Sequence, residues 1–516
     1  MDSQVTEGPI DIGIVGAGTM GGGIAQVAAA AGHSVIIYDS LPDAGDVMRE
    51  RIATETAKRV DAGKMAAGHR AELLARLTVT ESLTELSCCG CVIEAVIESM
   101  EVKRALFRQL EEIVSSDAIL ATNTSSLSIT GIGRGLDRPG RFVGMHFFNP
   151  VPAMKLVEVV HGLETDADTV TKVEQLALAW GKSPVQTASS PGFIVNRLAR
   201  PFYAEALALL QEKRATPKQI DRAMRAARFR MGPCELMDLI GHDVNYAVTE
   251  SIFNAYYSDR RFLPSQVQRE LVEGGRLGRK SGRGFYVYPP NPEESPATEE
   301  NEPGEPGLFE SVSFQGEYAL ARHLHEAFTA AEIDVHTDWH GTGAQIILGS
   351  SAKSLTLSLT DGRPVNLLAD DIGNSDIGTF DLVPYASPDS LCISFAAGCN
   401  SRLKACAIAT LRSVAIVPTE IADAPGLVVA RTLAMIVNEA ADAVLHGICT
   451  PDAANRAMRL GVNYPSGPFE WLDEIGSDYF VRLLENLGRL VDSERYRVSA
   501  YLREKQWAGR TTANAG

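Results

Sequence analysis

The stretch from Ile10 to Asp39, IDIGIVGAGTMGGGIAQVAAAAGHSVIIYD, permits few folds. Ile10, Ile12, Ile14 and Val15 form a short apolar run of β-branched bias, and Gly16-Ala17-Gly18-Thr19-Met20-Gly21 follows at once. A strand, a glycine turn and a helix in that order make a dinucleotide fingerprint. Gly16 permits the tight turn, Gly18 lets a pyrophosphate approach the backbone, and Gly21 lets the helix lie against the strand. Free N–H groups at the helix start then face the phosphates. Met20, Ile24, Val27, Ala28 and Ala31 recur at helical spacing, Gly32 ends the helix, and Ser34 to Tyr38 reads as the next strand. Asp39 stands where a carboxylate accepts both ribose hydroxyls of an adenosine and repels a 2′-phosphate, so NAD is expected rather than NADP.

A chain of 516 residues exceeds one typical domain. Its net charge of −17 argues against a general nucleic-acid or anionic-membrane surface, so an anionic ligand needs a local basic patch. The eight cysteines show no zinc spacing and read as thiols in a reducing compartment. No signal peptide and no apolar run of membrane-span length is legible, and a cytoplasmic protein is expected.

Residues Ala44 to Leu77 read as a helical hairpin bearing Arg49, Arg51, Lys58, Arg59, Lys64, Arg70 and Arg76 among fewer acids. The cations suit either a polyanionic ligand or a solvated face. Cys91 to Glu98 reads as a third strand with Glu98 closing its carboxyl end, where a parallel sheet keeps its crevice. Ala118 to Thr122 is a fourth strand, and Asn123-Thr124-Ser125-Ser126 the loop beyond it, formed of either turn residues or ligand contacts. Arg141 to His146 and Lys155 to Val160 are further strands. On the latter Glu158 shares a face with Leu156 and Val160, and a buried lone carboxylate is costly, so it needs a partner. His146 is the obvious one. A core histidine is the plain alternative, but an acid partner at a strand end favours function.

Ser189 to Arg197 opens a helical region that runs to about Tyr288, with Asn196 one turn inside. Pro289 to Gly307, with six prolines and six glutamates, reads as a solvated linker. From Leu308 to about Pro418 strands and helices return, with strands expected at 333–337, 344–348, 354–359, 381–383, 391–395 and 414–417. The glycines a phosphate loop needs are missing, so no dinucleotide is expected there. The last hundred residues repeat the first helical region: PGFIVNR at 191–197 returns as PGLVVAR at 425–431, and GPCELMDLIG at 232–241 as GPFEWLDEIG at 467–476. Asn196 becomes Ala430 in the return, which assigns Asn196 to chemistry and Ala430 to packing.

The fold class expected is therefore α/β plus all-α: a Rossmann NAD domain (1–188), a helical domain (189–288), the linker (289–307), a reduced Rossmann-like unit (308–418) and a second helical domain (419–516). Jointly GAGTMGGGIA, VIEAVIESMEVK, TNTSSL, HFFNPVPAMKLVEVV, PGFIVNR and RKSGRGFYVY, in this order and spacing, resemble the L-3-hydroxyacyl-CoA dehydrogenases over roughly residues 8 to 288. The remainder is similar to the long bacterial form associated with 3-hydroxybutyryl- and 3-hydroxyadipyl-CoA in phenylacetate catabolism, without a hydratase domain. The resemblance implies NAD-dependent oxidation of a (3S)-3-hydroxyacyl-CoA in fatty-acid or phenylacetate catabolism. In that picture His146 is the general base, Glu158 orients it, and Ser125 and Asn196 hold the reacting oxygen. It also implies NAD contacts from Gly16, Gly18, Met20, Gly21, Asp39, Glu98, Lys103, Ser125, Asn149 and Lys280, and CoA contacts from Lys58 and Lys64. The family's helical domain commonly makes the dimer contact, so the second copy is expected to form an internal pseudo-dimer, with a homo-oligomer left open. Two other readings stand beside it: a dehydrogenase of small 3-hydroxy acids, which uses a helix-borne lysine, and a non-catalytic nucleotide-binding protein.

Overall fold

In the computed structural model, which describes residues 10–289, 309–341, 343–350, 353–385 and 388–513, the glycine fingerprint seeds a doubly wound sheet. The elements are β1 (Ile12–Val15), α1 (Thr19–Ala30), β2 (Val35–Tyr38), α2 (Ala44–Asp61), α3 (Ala67–Ala75), β3 (Leu77–Thr80), β4 (Cys91–Glu94), α4 (Met100–Ile113), β5 (Ile119–Thr122), α5 (Ile129–Gly133), β6 (Phe142–Phe147), β7 (Leu156–His161), α6 (Ala167–Ala179) and β8 (Ser183–Ala188). Their order in the sheet is β3-β2-β1-β4-β5-β6-β7-β8. The first six strands are parallel, β7 turns back antiparallel to β6, and β8 runs parallel to β7.

Both faces are buried, as a parallel sheet requires. Ile12, Ile14, Ile93 and Val157 enter one apolar cluster with Ile24 and Ala28 of α1. Val15, Val92 and Leu120 enter another with Phe107 and Leu110 of α4. The turn after β1 needs its glycines for space: Gly16 has φ +108°, and a Cβ on it would stand 2.6 Å from the Ala95 carbonyl oxygen. A Cβ on Gly21 would run into the Gly16 carbonyl.

Two local expectations need correction, and one strand was not expected. Leu77 does not end the hairpin but begins the edge strand β3. The strand expected through Glu98 stops at Glu94, whose carboxylate takes the Val96 N–H at 2.6 Å and ends the extended run, so Glu98 lies in the loop beyond. The strand β8, carrying Pro184 and the polar Gln186 and Thr187, was hidden by its mixed composition.

The first helical region comprises α7 (Val195–Leu198), α8 (Arg200–Gln211), α9 (Pro217–Ala226), α10 (Pro233–Ile240), α11 (His242–Ala255) and α12 (Gln266–Glu273). Helix α9 starts with a capping box between Thr216 and Gln219, and with proline in its first turn. The linker expected at 289–307 lies, apart from Pro289, outside the described residues.

A second sheet follows, built from β9 (Ser311–Gln315), β10 (Asp334–Asp338), β11 (Gln345–Ser350), β12 (Lys353–Leu359), β13 (Ile377–Phe380), β14 (Ser390–Phe395) and β15 (Val417–Glu420), with α13 (Ala319–Ala330), α14 (Val365–Ile372) and α15 (Ser401–Ser413). Its order is β10-β9-β11-β12-β13-β14-β15. At one end it repeats the first sheet: β13 and β14 are antiparallel and β15 is parallel to β14. In its middle β11 runs antiparallel to both neighbours, so a hairpin replaces a helical crossover. The strand expected at 381–383 lies at 377–380, because Asp381 turns its carboxylate to a helix start; that expected at 414–417 begins at Val417, after Ala415 takes φ +62°.

The last helices are α16 (Val429–Leu445), α17 (Pro451–Gly461), α18 (Pro468–Ile475), α19 (Ser477–Leu490) and α20 (Ala500–Ala513). By contacts the described residues form two compact units: those up to Arg197 together with 446–462, and the remainder. In the first unit α17 packs on β7 and β8. In the second unit α9 packs on β14 and β15, and α8 packs along α16. Buried Glu205 on α8 accepts from Arg431 (2.6 Å), Arg495 (2.7 Å) and the Tyr496 hydroxyl (2.8 Å), which satisfies a carboxylate shut off from water. No described helix is long and apolar enough to cross a membrane.

Candidate active site

The carboxyl ends of the parallel strands, where such sheets keep their crevice, carry a cavity of about 370 Å³. Met20 from the start of α1 lines it, as do Glu98 and Ser125 from the loops after β4 and β5, Lys103 from the first turn of α4, and His146, Asn149 and Asn196. All of these were read from the sequence as site residues, and the first unit brings them together around this cavity.

His146 is the penultimate residue of β6 and stands directly across from Glu158 in the antiparallel register with β7. Its Nδ1 lies 2.6 Å from the Glu158 Oε2, and both side chains are buried. The carboxylate accepts Nδ1–H and so leaves Nε2 as the ring's open acceptor. Glu158 is satisfied on its other oxygen as well: Oε1 takes the N–H groups of Ile194 (3.0 Å) and Val195 (2.9 Å) at the start of α7, where a negative charge is favoured. Asn196 follows in that turn, so one carboxylate fixes both the imidazole and the helix start that presents the amide. Phe148 and Phe193 flank the imidazole with ring centres 4.6 and 5.7 Å away, an apolar surround that strengthens the pair.

Glu98 organises the opposite wall. Its Oε1 accepts from the Thr124 hydroxyl (2.7 Å) and from the backbone N–H groups of Ser125 (3.0 Å) and Ser126 (3.1 Å), while Lys103 stands 3.4 Å from Oε2. Burial pushes the Glu98 carboxyl upward, but the Thr124 bond, the Lys103 charge and the serine donors outweigh it and hold the group below its ordinary range. Lys103 is itself buried on Glu94 at 2.5 Å. Sequence reading missed Glu94. It receives Lys103, the Thr122 hydroxyl (2.6 Å) and the Val96 N–H, and its signal was present: an acid inside the apolar run Cys91-Val92-Ile93-Glu94. Asn123 was named only as part of a loop, yet its side-chain oxygen takes the Phe147 N–H at 2.9 Å and ties β5's loop to β6.

The remaining predicted residues lie off the cavity wall. Asp39 at the end of β2 accepts the Ala17 N–H (2.7 Å) and the Leu41 N–H (2.9 Å), which aims its carboxylate along the glycine turn. Space is open around Gly18, where a Cβ would meet nothing within 4 Å. The turn, the helix start behind it and Asp39 together fit a dinucleotide with free ribose hydroxyls. Lys58 and Lys64 are exposed at the end of α2 and beyond it, and neither lines the cavity. Lys280 belongs to the other unit, where its amine pairs with Asp243.

The model for the 3-hydroxyacyl-CoA dehydrogenase NAD-binding domain matches residues 11–190, and that for the C-terminal domain of the same enzymes matches twice, at 192–288 and 426–516. The chain is 42% identical over 499 residues to the 3-hydroxyadipyl-CoA dehydrogenase of Escherichia coli strain K12, covering 96% of this chain and 97% of that one. Its first half is 40% identical to a probable 3-hydroxybutyryl-CoA dehydrogenase of Deinococcus radiodurans, covering 54% of this chain and 99% of the relative. A crystal structure of 3-hydroxybutyryl-CoA dehydrogenase from Escherichia coli K12 superposes with a TM-score of 0.84 at 39% identity, over 96% of this chain and 98% of that one. With the fingerprint, the His146–Glu158 pair and both helical repeats in place, the chain belongs to the 3-hydroxyacyl-CoA dehydrogenase family of NAD-dependent oxidoreductases.

Proposed function

We propose that His146 is the general base of a reversible, NAD-dependent oxidation of a (3S)-3-hydroxyacyl-CoA to the 3-oxoacyl-CoA. The observation that carries this reading is the buried 2.6 Å His146–Glu158 pair, whose histidine lines a cavity that Met20 at the start of α1 lines as well. The Nε2 of His146 takes the 3-hydroxyl proton, and Glu158, keeping Nδ1–H, stabilises the imidazolium that results. Ser125 and Asn196 hydrogen-bond the reacting oxygen and hold the acyl chain in line. When bound, NAD supplies the acceptor for the hydride that leaves C3. Gly16, Gly18 and Gly21 would admit its pyrophosphate, Asp39 its ribose, and Met20, Glu98, Lys103 and Asn149 its remaining contacts. For CoA the exposed cations of the hairpin, Lys58 and Lys64, are the candidates, since a 3′-phosphate requires a cation.

The acyl range proposed spans the four-carbon and the distal-carboxylate substrates in the relatives' names, and a role in fatty-acid or phenylacetate breakdown is proposed with it. Eight unbridged thiols fit a reducing cytoplasm. The test is oxidation of NADH with acetoacetyl-CoA against free acetoacetate. Turnover of the thioester alone supports the reading; turnover of the free acid with equal efficiency, or of neither, refutes it.

A further inference from the structure

The two helical repeats exchange their second helices. Helix α9 of the first repeat lies on the second sheet, and α17 of the second repeat lies on β7 and β8 of the first. In sequence the two helices align from Thr216-Pro217 and Thr450-Pro451 through Arg222-Ala223-Met224-Arg225 and Arg456-Ala457-Met458-Arg459. Two residues further on they part: the first has Ala227 and the second Gly461.

That glycine is at a close approach. A Cβ on Gly461 would stand 2.7 Å from Leu156 Cδ2 and 2.9 Å from Val195 Cγ2, closer than packed atoms come, so one of them would have to move. Leu156 is two residues before Glu158 on β7, and the N–H of Val195 is one of the two donors that hold the Glu158 carboxylate. The same segment is tied to β8 by the Ala188 N–H on the Ile448 carbonyl (2.9 Å) and by Arg456 on the Pro184 carbonyl (3.1 Å). In the same segment burial pushes the Cys449 thiol up to about 12. In the second unit the matching Ala227 keeps its methyl group and lines a small cavity with Asp381 and Val429.

We propose that Gly461 is a positioning residue: its missing side chain lets α17 close on Leu156 and Val195 and so sets the Glu158 carboxylate against His146. The inference rests on the dehydrogenase reading above. Its test is the Gly461→Ala enzyme, full length, assayed for oxidation of 3-hydroxybutyryl-CoA by NAD across pH. Displacing Glu158 weakens its support of the imidazolium, so the acid limb of kcat/KM moves to lower pH by about half a unit or more and kcat falls about tenfold, with KM for NAD within about twofold of wild type. A profile superimposable on wild type, with or without a uniform loss of rate, overturns the proposal. Should Gly461→Ala not fold, Arg456→Ala carries the test in the same assay: a displaced acid limb supports the brace and an unmoved one overturns it. Failure of the wild-type enzyme to oxidise the substrate at all overturns instead the reading on which this rests.

Discussion

Glu158 and Asp381 do the same structural work in the two halves of the chain. Each is a buried acid that accepts the N–H groups opening a PGxxVxR turn: Ile194 and Val195 on Glu158, Val428 and Val429 on Asp381. In both turns the glycine is followed by a residue at positive φ, Phe193 at 46° and Leu427 at 49°. Non-glycine residues rarely hold such a conformation, so both repeats have kept a strained turn that the acid secures. The neighbours differ. Glu158 faces His146, whereas Asp381 follows the strand β13 and gives its own N–H to the Cys392 carbonyl at 2.9 Å. Asn196 becomes Ala430, whose N–H is a further donor to Asp381 at 2.9 Å. The difference teaches that the acid belongs to the fold of both halves, whereas the paired histidine belongs to the first alone of these two turns, as the proposed chemistry requires.

Substitutions can break that comparison. His146→Ala should lower kcat by about two to four orders of magnitude with NAD affinity little changed, read by steady-state kinetics and cofactor titration. Glu158→Gln keeps an oxygen for the helix start but removes the charge beside the imidazole, and kcat should fall about ten- to a hundredfold. A fall equal to that of His146→Ala would show that the acid is more than a support.

In the second half the effects should be on stability alone. Burial pushes Asp381 up to about 6 against the N–H donors that favour its charged form. The unfolded chain titrates it near about 3.9, so between these values the folded state holds the extra proton and stability falls as pH rises, by up to about 3 kcal/mol. Asp381→Asn should flatten that slope in thermal unfolding between about pH 4 and 6 and leave turnover unchanged. Ala430→Asn should also leave turnover unchanged and lower stability by about 1–3 kcal/mol, the cost of an amide in a fully buried position. A changed rate in either variant would bring the second half into the chemistry.

Much of the site was legible because its residues break local rules. An acid on an apolar strand face announced Glu158, and a glycine run between a strand and a helix announced the dinucleotide turn. Glu94 broke the same rule and was passed over, since its partner Lys103 lies on the next helix and the strand was read as running on to Glu98. Strands β3 and β8 were missed for another reason: Thr78 and Gln186 lie exposed beside buried residues, and an edge strand carries little apolar signal. The placing of α17 on the first sheet was beyond any local reading. Its repeat was visible, but nothing in a helix's own periodicity names the strand it will cover.

That placing bears on how the protein is made. The strand partners of His146 are finished early in translation, yet the segment that covers them emerges more than two hundred residues later. Until the ribosome has delivered Gly461, a nascent chain carries an uncovered flank on its finished sheet, and contacts of such long sequence separation form slowly. Covering of that flank therefore waits for a segment made long after the strands it lies on.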